Sequence, residues 1–222
     1  MLSTMEERLV QVETNGSVLQ GNLIVPENAK GVVLFAHGSG SSRHSPRNQY
    51  VAGELNAAGF ATLLLDLLTE TEEQAEQFTR HLRFDIGLLA KRLSDASDWL
   101  ATESETKDLP LGYFGASTGG GAALVAAAML PDRVSAVVSR GGRPDLAGQA
   151  LPKVFAPTLL IVGGDDEPVI TMNEWALSRL GSKVKKLEIV PGATHLFEEP
   201  GKLEEVARLA ADWFTRHLDS GG

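Results

Sequence analysis

The sequence predicts an α/β fold, a mostly parallel sheet of eight strands flanked by helices and without a large lid, in a single domain over residues 1–222. Three observations lead there. Short apolar runs rich in Val, Ile and Leu alternate with longer stretches that carry apolar residues at three- and four-residue spacing. Several of the short runs are almost unbroken apolar, as strands buried on both faces are. At the start, Asn15-Gly16 joins two alternating runs, the sequence signal of a tight hairpin.

The hairpin strands are Leu9 to Val12 and Leu19 to Val25, an antiparallel pair at one edge. The parallel strands follow as Val32 to Phe35, Ala61 to Leu65, Leu111 to Phe114, Val134 to Ser139, Thr158 to Val162 and Lys186 to Val190. Helices are expected at Asn48 to Ala58, Phe84 to Ala101, Thr118 to Met129, Thr171 to Leu180 and Leu203 to Leu218. A more polar surface helix is expected within Glu70 to Leu82. No Ser/Gly/Pro linker divides the chain, and Arg140 to Pro157 has room for a loop and a short helix only, so the site is expected to be open.

Composition narrows the chemistry. Twenty Lys and Arg against 29 Asp and Glu give a net charge of −9, which disfavours nucleic acid and acidic membranes and favours a small-molecule partner. The chain has no cysteine, which removes thiolate nucleophiles and thiolate metal sites. No stretch approaches the about eighteen apolar residues of a membrane span, and Glu6 and Glu7 stand where a leader would be apolar, so a cytoplasmic location is expected. No metal or cofactor is called for, and the oligomeric state is not legible.

The strongest local signal is Gly115-Ala116-Ser117-Thr118-Gly119, between an apolar strand and a helix-compatible run. A serine hydroxyl is a poor nucleophile until a base takes its proton, and it must stand clear of the backbone for a carbonyl carbon to approach. A sharp strand-to-helix turn achieves this, and small neighbours let the strained turn pack. Alone, the pattern is equally consistent with a flexible or phosphate-cradling loop. Two further segments add weight: Gly163-Gly164-Asp165-Asp166-Glu167-Pro168-Val169 after the seventh strand, and Pro191-Gly192-Ala193-Thr194-His195-Leu196-Phe197 after the eighth. Each follows the C-terminal end of an expected strand, where open α/β sheets bind ligands.

The order Ser, Asp, His and these motifs resemble the α/β-hydrolase fold, and within it the lidless dienelactone-hydrolase-like serine hydrolases, from about Leu19 onward. The resemblance implies Ser117 as nucleophile, His195 as base and Asp166 as the acid that orients it, since Gly163, Asp166 and Val169 match the family's Gly-x-x-Asp-x-x-Val pattern. Asp165 is the fallback. It also implies an oxyanion hole from the N–H groups of Ser39, just after His37-Gly38, and Thr118. Dienelactone hydrolase itself has a cysteine where this chain has Ser117, which leaves the substrate open.

Arg140 and Arg143 are candidates to bind a substrate carboxylate, with a structural ion pair to Asp145 or Asp66 as the favoured alternative. His44, His81 and His217 read as solvated, and His37 as structural. The expected function is hydrolysis of a small ester, lactone or thioester. The alternatives are acyl transfer or peptide cleavage with the same three residues, or an inactive ligand-binding protein on the hydrolase fold.

Overall fold

The computed structural model describes residues 5–218. Its centre is an eight-stranded sheet in the order β1-β2-β4-β3-β5-β6-β7-β8. The hairpin β1 (Glu7–Thr14) and β2 (Ser17–Ile24) turns at Asn15-Gly16, where Gly16 adopts φ +80. β2 then pairs antiparallel with β4 (Ala61–Leu65). β3 (Val32–Ala36), β5 (Leu111–Ala116), β6 (Val134–Arg140), β7 (Thr158–Gly163) and β8 (Lys185–Val190) complete a parallel sheet with β4. β3, β4 and β5 are buried along their whole length, which is why their sequences carry no polar alternation.

Both faces of the sheet are covered. On one, α1 (Pro46–Ala57) and α6 (Lys202–His217) bury Val51, Leu55, Val206 and Phe214 against Phe35, Phe114 and Ile161. On the other, α3 (Ile86–Leu100), α4 (Thr118–Met129) and α5 (Glu167–Arg179) bury Leu93, Leu124 and Ala176, together with Leu151 from 3-10 turns over Pro144–Lys153. α2 (Glu70–Thr79) stands outside both clusters and buries a single side chain, Glu76. Among the described residues no helix is long and apolar enough to cross a membrane.

The strand order places the site. After β3 the chain crosses to β4 on one side, and β5 lies on the other side of β3. Connections that diverge in this way open a crevice at the C-terminal ends of the two strands. The segments after Ala36 and after Ala116 border that crevice.

Three helix starts differ from the sequence expectation by two residues or more. α1 begins two residues earlier, at Pro46, because the Ser45 hydroxyl accepts from Asn48 N–H at 3.3 Å and proline suits a first turn. α5 begins at Glu167 rather than Thr171, with Asp166 at its N-cap and Pro168 in its first turn. α3 begins at Ile86, where the Asp85 carboxylate accepts from Leu88 N–H, and a separate 3-10 turn covers Leu82–Phe84.

Phe214 anchors α6. Its ring lies over Gly112, where a β-carbon would come within 2.8 Å of Phe214 Cε1. We expect Phe214→Ala to lower the unfolding free energy in urea by about 3–5 kcal/mol, the range for deleting a buried aromatic; a loss under about 1 kcal/mol would show that α6 is held elsewhere.

Candidate active site

Ser117 sits between β5 and α4 with φ 52 and ψ −122, a conformation that a non-glycine residue occupies at a cost of about 1–3 kcal/mol. Backbone bonds hold it there. Ser117 N–H donates to Arg140 C=O at 3.1 Å, and Ser117 C=O accepts from Gly120 N–H at 2.9 Å and Arg143 N–H at 3.0 Å. The turn is tight because backbone packs on backbone. A β-carbon at Gly119 would lie 2.2 Å from Ala36 C=O, and one at Gly115 2.4 Å from Gly119 C=O.

A second close approach brings in the histidine. The loop after β8 folds over the end of β7, where a β-carbon at Gly163 would lie 2.3 Å from Ala193 C=O. Asp165 N–H donates to that same carbonyl at 3.0 Å. His195 therefore faces Asp166, and its Nδ1–H donates to Asp166 Oδ2 at 2.7 Å. That tautomer leaves Nε2 as the acceptor for Ser117 Oγ, 3.4 Å away. The neighbouring carboxylate, Asp165, is exposed: it sits in the turn after β7, which Asp166 N–H closes by donating to Gly163 C=O at 3.1 Å. Although Asp166 is the N-cap residue of α5, its side chain makes no capping bond; it is spent on the histidine.

The line is open to solvent at the histidine, whose side chain is 39% exposed, and sheltered at Asp166, at 13%. It can pass a proton from the Ser117 hydroxyl to Nε2 while the carboxylate stabilises the resulting imidazolium. The 3.4 Å separation is at the long end for a hydrogen bond, a spacing that tightens when a substrate fills such a site.

The loop after β3 runs beside the serine: a β-carbon at Gly38 would be 3.3 Å from Ser117 Cβ. Among the described residues the N–H groups of Ser39 and Thr118 donate to no backbone carbonyl, and the two hydroxyls of these residues are 2.8 Å apart. His37 pins the loop from below. Its Nδ1–H donates to Gly38 C=O at 2.8 Å and its Nε2 accepts from Leu67 N–H at 3.0 Å, so the ring is held neutral and its roles are filled. Beyond the loop lies a polar cleft of about 820 Å³, lined by Gln20, His37, Arg43, Asp66, Thr69 and Glu73 among others.

The two arginines separate. Arg143 makes the expected structural pair, forked onto Asp145 at 2.9 and 2.8 Å. For Arg140 the ion-pair expectation is corrected: Asp66 is taken by Arg43, and among the described residues Arg140 meets no carboxylate. Alternation along β6 puts Arg140 with Ala136 and Val138 on the face under α1 and α6, while the turn bearing Asp145 packs on α4. Arg140 is 5% exposed, its guanidinium lies 5.8 Å from the centre of the Phe197 ring, and Nε has no hydrogen-bond partner. Burial, and after it the nearby Arg47 cation, push Arg140 down to about 10.

The family model for the dienelactone hydrolase family matches residues 19–220. The chain belongs to the dienelactone hydrolase family. A dienelactone hydrolase from Anabaena variabilis, known from its crystal structure, is 63% identical with a TM-score of 0.94, covering 96% of this chain and 99% of that one. Est1E from Butyrivibrio proteoclasticus shares the fold, with a TM-score of 0.78 at 18% identity over 94% of this chain and 98% of its own. Two curated proteins from strains of Mycobacterium tuberculosis, named for a phosphoribosyl transferase activity, are 59% identical over 218 residues. That match covers 98% of this chain and 48% of theirs, so the chain spans about half the length of the curated relatives it matches.

Within this member of the dienelactone hydrolase family, some residues at the site carried no sequence signal. Asn173, the buried polar residue of α5, donates from Nδ2 to Gly142 C=O at 3.1 Å and so fastens the turn after β6. Phe197 holds φ +56 while fully buried beside Arg140, and nothing in Leu196-Phe197-Glu198 announces it.

Two outcomes are expected. Gly119→Ala drives a methyl group into the Ala36 carbonyl and should destabilise by more than about 2 kcal/mol, because neither partner is a flexible side chain; thermal melting unchanged from wild type would refute the close packing. The second concerns pH. Burial lowers His37 below its ordinary 6.5, so as pH falls the unfolded chain takes up this proton first. The contribution of His37 is therefore complete above about 6.5 and lost as pH falls toward the lowered folded-state value. Urea unfolding of His37→Gln across that window should show a shallower acid-side loss than wild type, and an equal slope would count against it.

Proposed function

We propose that the protein hydrolyses a small carboxylic ester, lactone or thioester through an acyl-enzyme on Ser117. The observation that carries this reading is the unbroken line from Asp166 Oδ2 through His195 to Ser117 Oγ, with separations of 2.7 and 3.4 Å, ending on a serine in a strained turn. As Ser117 Oγ bonds to the carbonyl carbon, its proton passes to His195 Nε2 and the carbonyl electron pair moves to oxygen. The N–H groups of Ser39 and Thr118 then stabilise that oxyanion. When the tetrahedral species collapses, the bond to the leaving group breaks and His195 protonates it; water repeats the sequence on the acyl-enzyme. A serine depends more on its histidine than a cysteine does, because an alkoxide is far less accessible than a thiolate near neutral pH.

Arg140 supports a substrate that carries an anionic group near the scissile bond. Its guanidinium is buried and meets no carboxylate among the described residues, one residue from Gly141, which lies against the His195 ring, whereas Arg143 is committed to Asp145. The transferase activity named in the mycobacterial relatives belongs to chains about twice as long. Transfer of a phosphoribosyl group is displacement at a sugar carbon and makes no use of a serine-histidine-aspartate line, so for this chain we favour acyl chemistry.

A chromogenic ester panel of graded acyl length, with and without a terminal carboxylate, tests the reading together with fluorophosphonate labelling. We expect labelling of wild type at Ser117, and a loss of turnover on the order of 10³-fold or more in Ser117→Ala. Asp166→Asn should lose on the order of 10³- to 10⁴-fold, whereas Asp165→Asn should stay within about twofold. Unlabelled but folded wild type would favour a binding protein on the same fold. Full activity in Ser117→Ala would remove the serine from the chemistry.

A further inference from the structure

The two residues whose N–H groups would receive the oxyanion are also joined through their side chains, and the bond has a direction. Ser39 Oγ–H donates to the carbonyl of Arg83 at 3.1 Å. With its single proton spent there, Ser39 must be the acceptor in the 2.8 Å contact with Thr118, whose hydroxyl donates. The chain Thr118 to Ser39 to Arg83 thus ties the start of α4 and the loop after β3 to a segment outside the sheet.

That segment is organised by one carboxylate. Glu76 has no exposed surface. Its Oε1 accepts from Leu82 N–H at 2.8 Å and from the Thr79 hydroxyl at 3.0 Å, and its Oε2 accepts from Arg83 N–H at 3.2 Å. The Arg83 Nε lies 3.3 Å from the same oxygen, as an ion pair without hydrogen-bond alignment. Burial pushes the Glu76 carboxyl up, and its hydrogen bonds from Leu82, Arg83, Thr79 and His81 together more than offset it, bringing it down to about 2. Arg80, in the left-handed region with φ 53, turns the chain back so that these donors converge. A buried carboxylate is costly and must be fully bonded to persist. Yet Glu76 is the only buried side chain of α2, so it serves no apolar core.

The loop it braces needs bracing. Gly40 has φ +72, and between Gly38 and Ser42 the one backbone bond in the loop is Ser41 N–H to Gly38 C=O at 3.1 Å. The donors of an oxyanion hole must lie about 2.7–3.1 Å from an atom that carries charge only in the tetrahedral species, so small shifts of one donor against the other matter. We propose that Glu76 and Ser39 are positioning residues for the oxyanion hole: Glu76 sets the Arg83 carbonyl, which through the Ser39 and Thr118 hydroxyls fixes the spacing of the two backbone donors. This inference rests on the hydrolase reading above.

The experiment compares wild type, Glu76→Gln, Ser39→Ala and the double variant in kcat, KM, melting temperature and affinity for a trifluoromethyl ketone, which adds to the serine to give a tetrahedral oxyanion. In Glu76→Gln the amide presents N–H groups toward a backbone N–H, and the turn loosens; α2 lies outside both apolar clusters, so the variant should fold. Each single variant should lose about tenfold in kcat with KM within about twofold and labelling at Ser117 retained. The double variant should fall no further than the weaker single, because both changes cut one chain. Ketone affinity should fall in step with kcat/KM. Lowered melting temperature with unchanged kcat in Glu76→Gln, or losses that multiply in the double variant, would overturn the inference while leaving the hydrolase reading intact; Ser39→Ala alone tests the link should Glu76→Gln fail to fold. A wild type that neither labels nor turns over ester would overturn both.

Discussion

At Gly119 a β-carbon would stand 2.2 Å from the carbonyl of Ala36, and at Gly163 one would stand 2.3 Å from that of Ala193. These two contacts, which only hydrogen side chains permit, press the serine turn against β3 and the histidine loop against β7. The rest of the site follows from them. With the turn held, Ser117 is forced to φ 52 and its hydroxyl stands clear; with the loop held, His195 meets Asp166 at 2.7 Å and reaches toward the serine. Three side chains from three separate strand ends thus converge without any of them being close in sequence.

The parts of the site that sequence could show are those where physics leaves little choice of residue. A strained turn packed on neighbouring backbone demands small residues around Ser117, and such a demand is visible as a motif. Asp166 stands out from Asp165 only through the resemblance to the family's Gly-x-x-Asp-x-x-Val pattern; in the structure Asp165 is exposed and Asp166 meets the ring. The fold was legible for the same reason: β3, β4 and β5 are buried on both faces and had to be apolar throughout.

What stayed hidden depends on which way a side chain points or what folds back on it. Arg140 and Arg143 are equivalent as letters, but the pleat sends one under α6 without a partner and leaves the other beside Asp145. Glu76 is one acid among several in α2, and only the return of Leu82 and Arg83 makes it a buried hub. The start of α5 is hidden because Glu167 and Pro168, which open it, lie ahead of the apolar spacing, and the Asp166 side chain at its N-cap bonds the histidine instead of the helix. In a chain of net charge −9, Arg140 is a buried arginine beside the serine turn that meets no carboxylate among the described residues.

The central claim is that His195 takes the proton of Ser117. Its most direct measure is the rate at which an uncharged fluorophosphonate modifies Ser117, followed by peptide mapping in wild type and in His195→Ala. The expected result is a labelling rate that falls by on the order of 10²-fold or more in the variant, because the serine then has no base to take its proton. A variant that labels at the wild-type rate would contradict it.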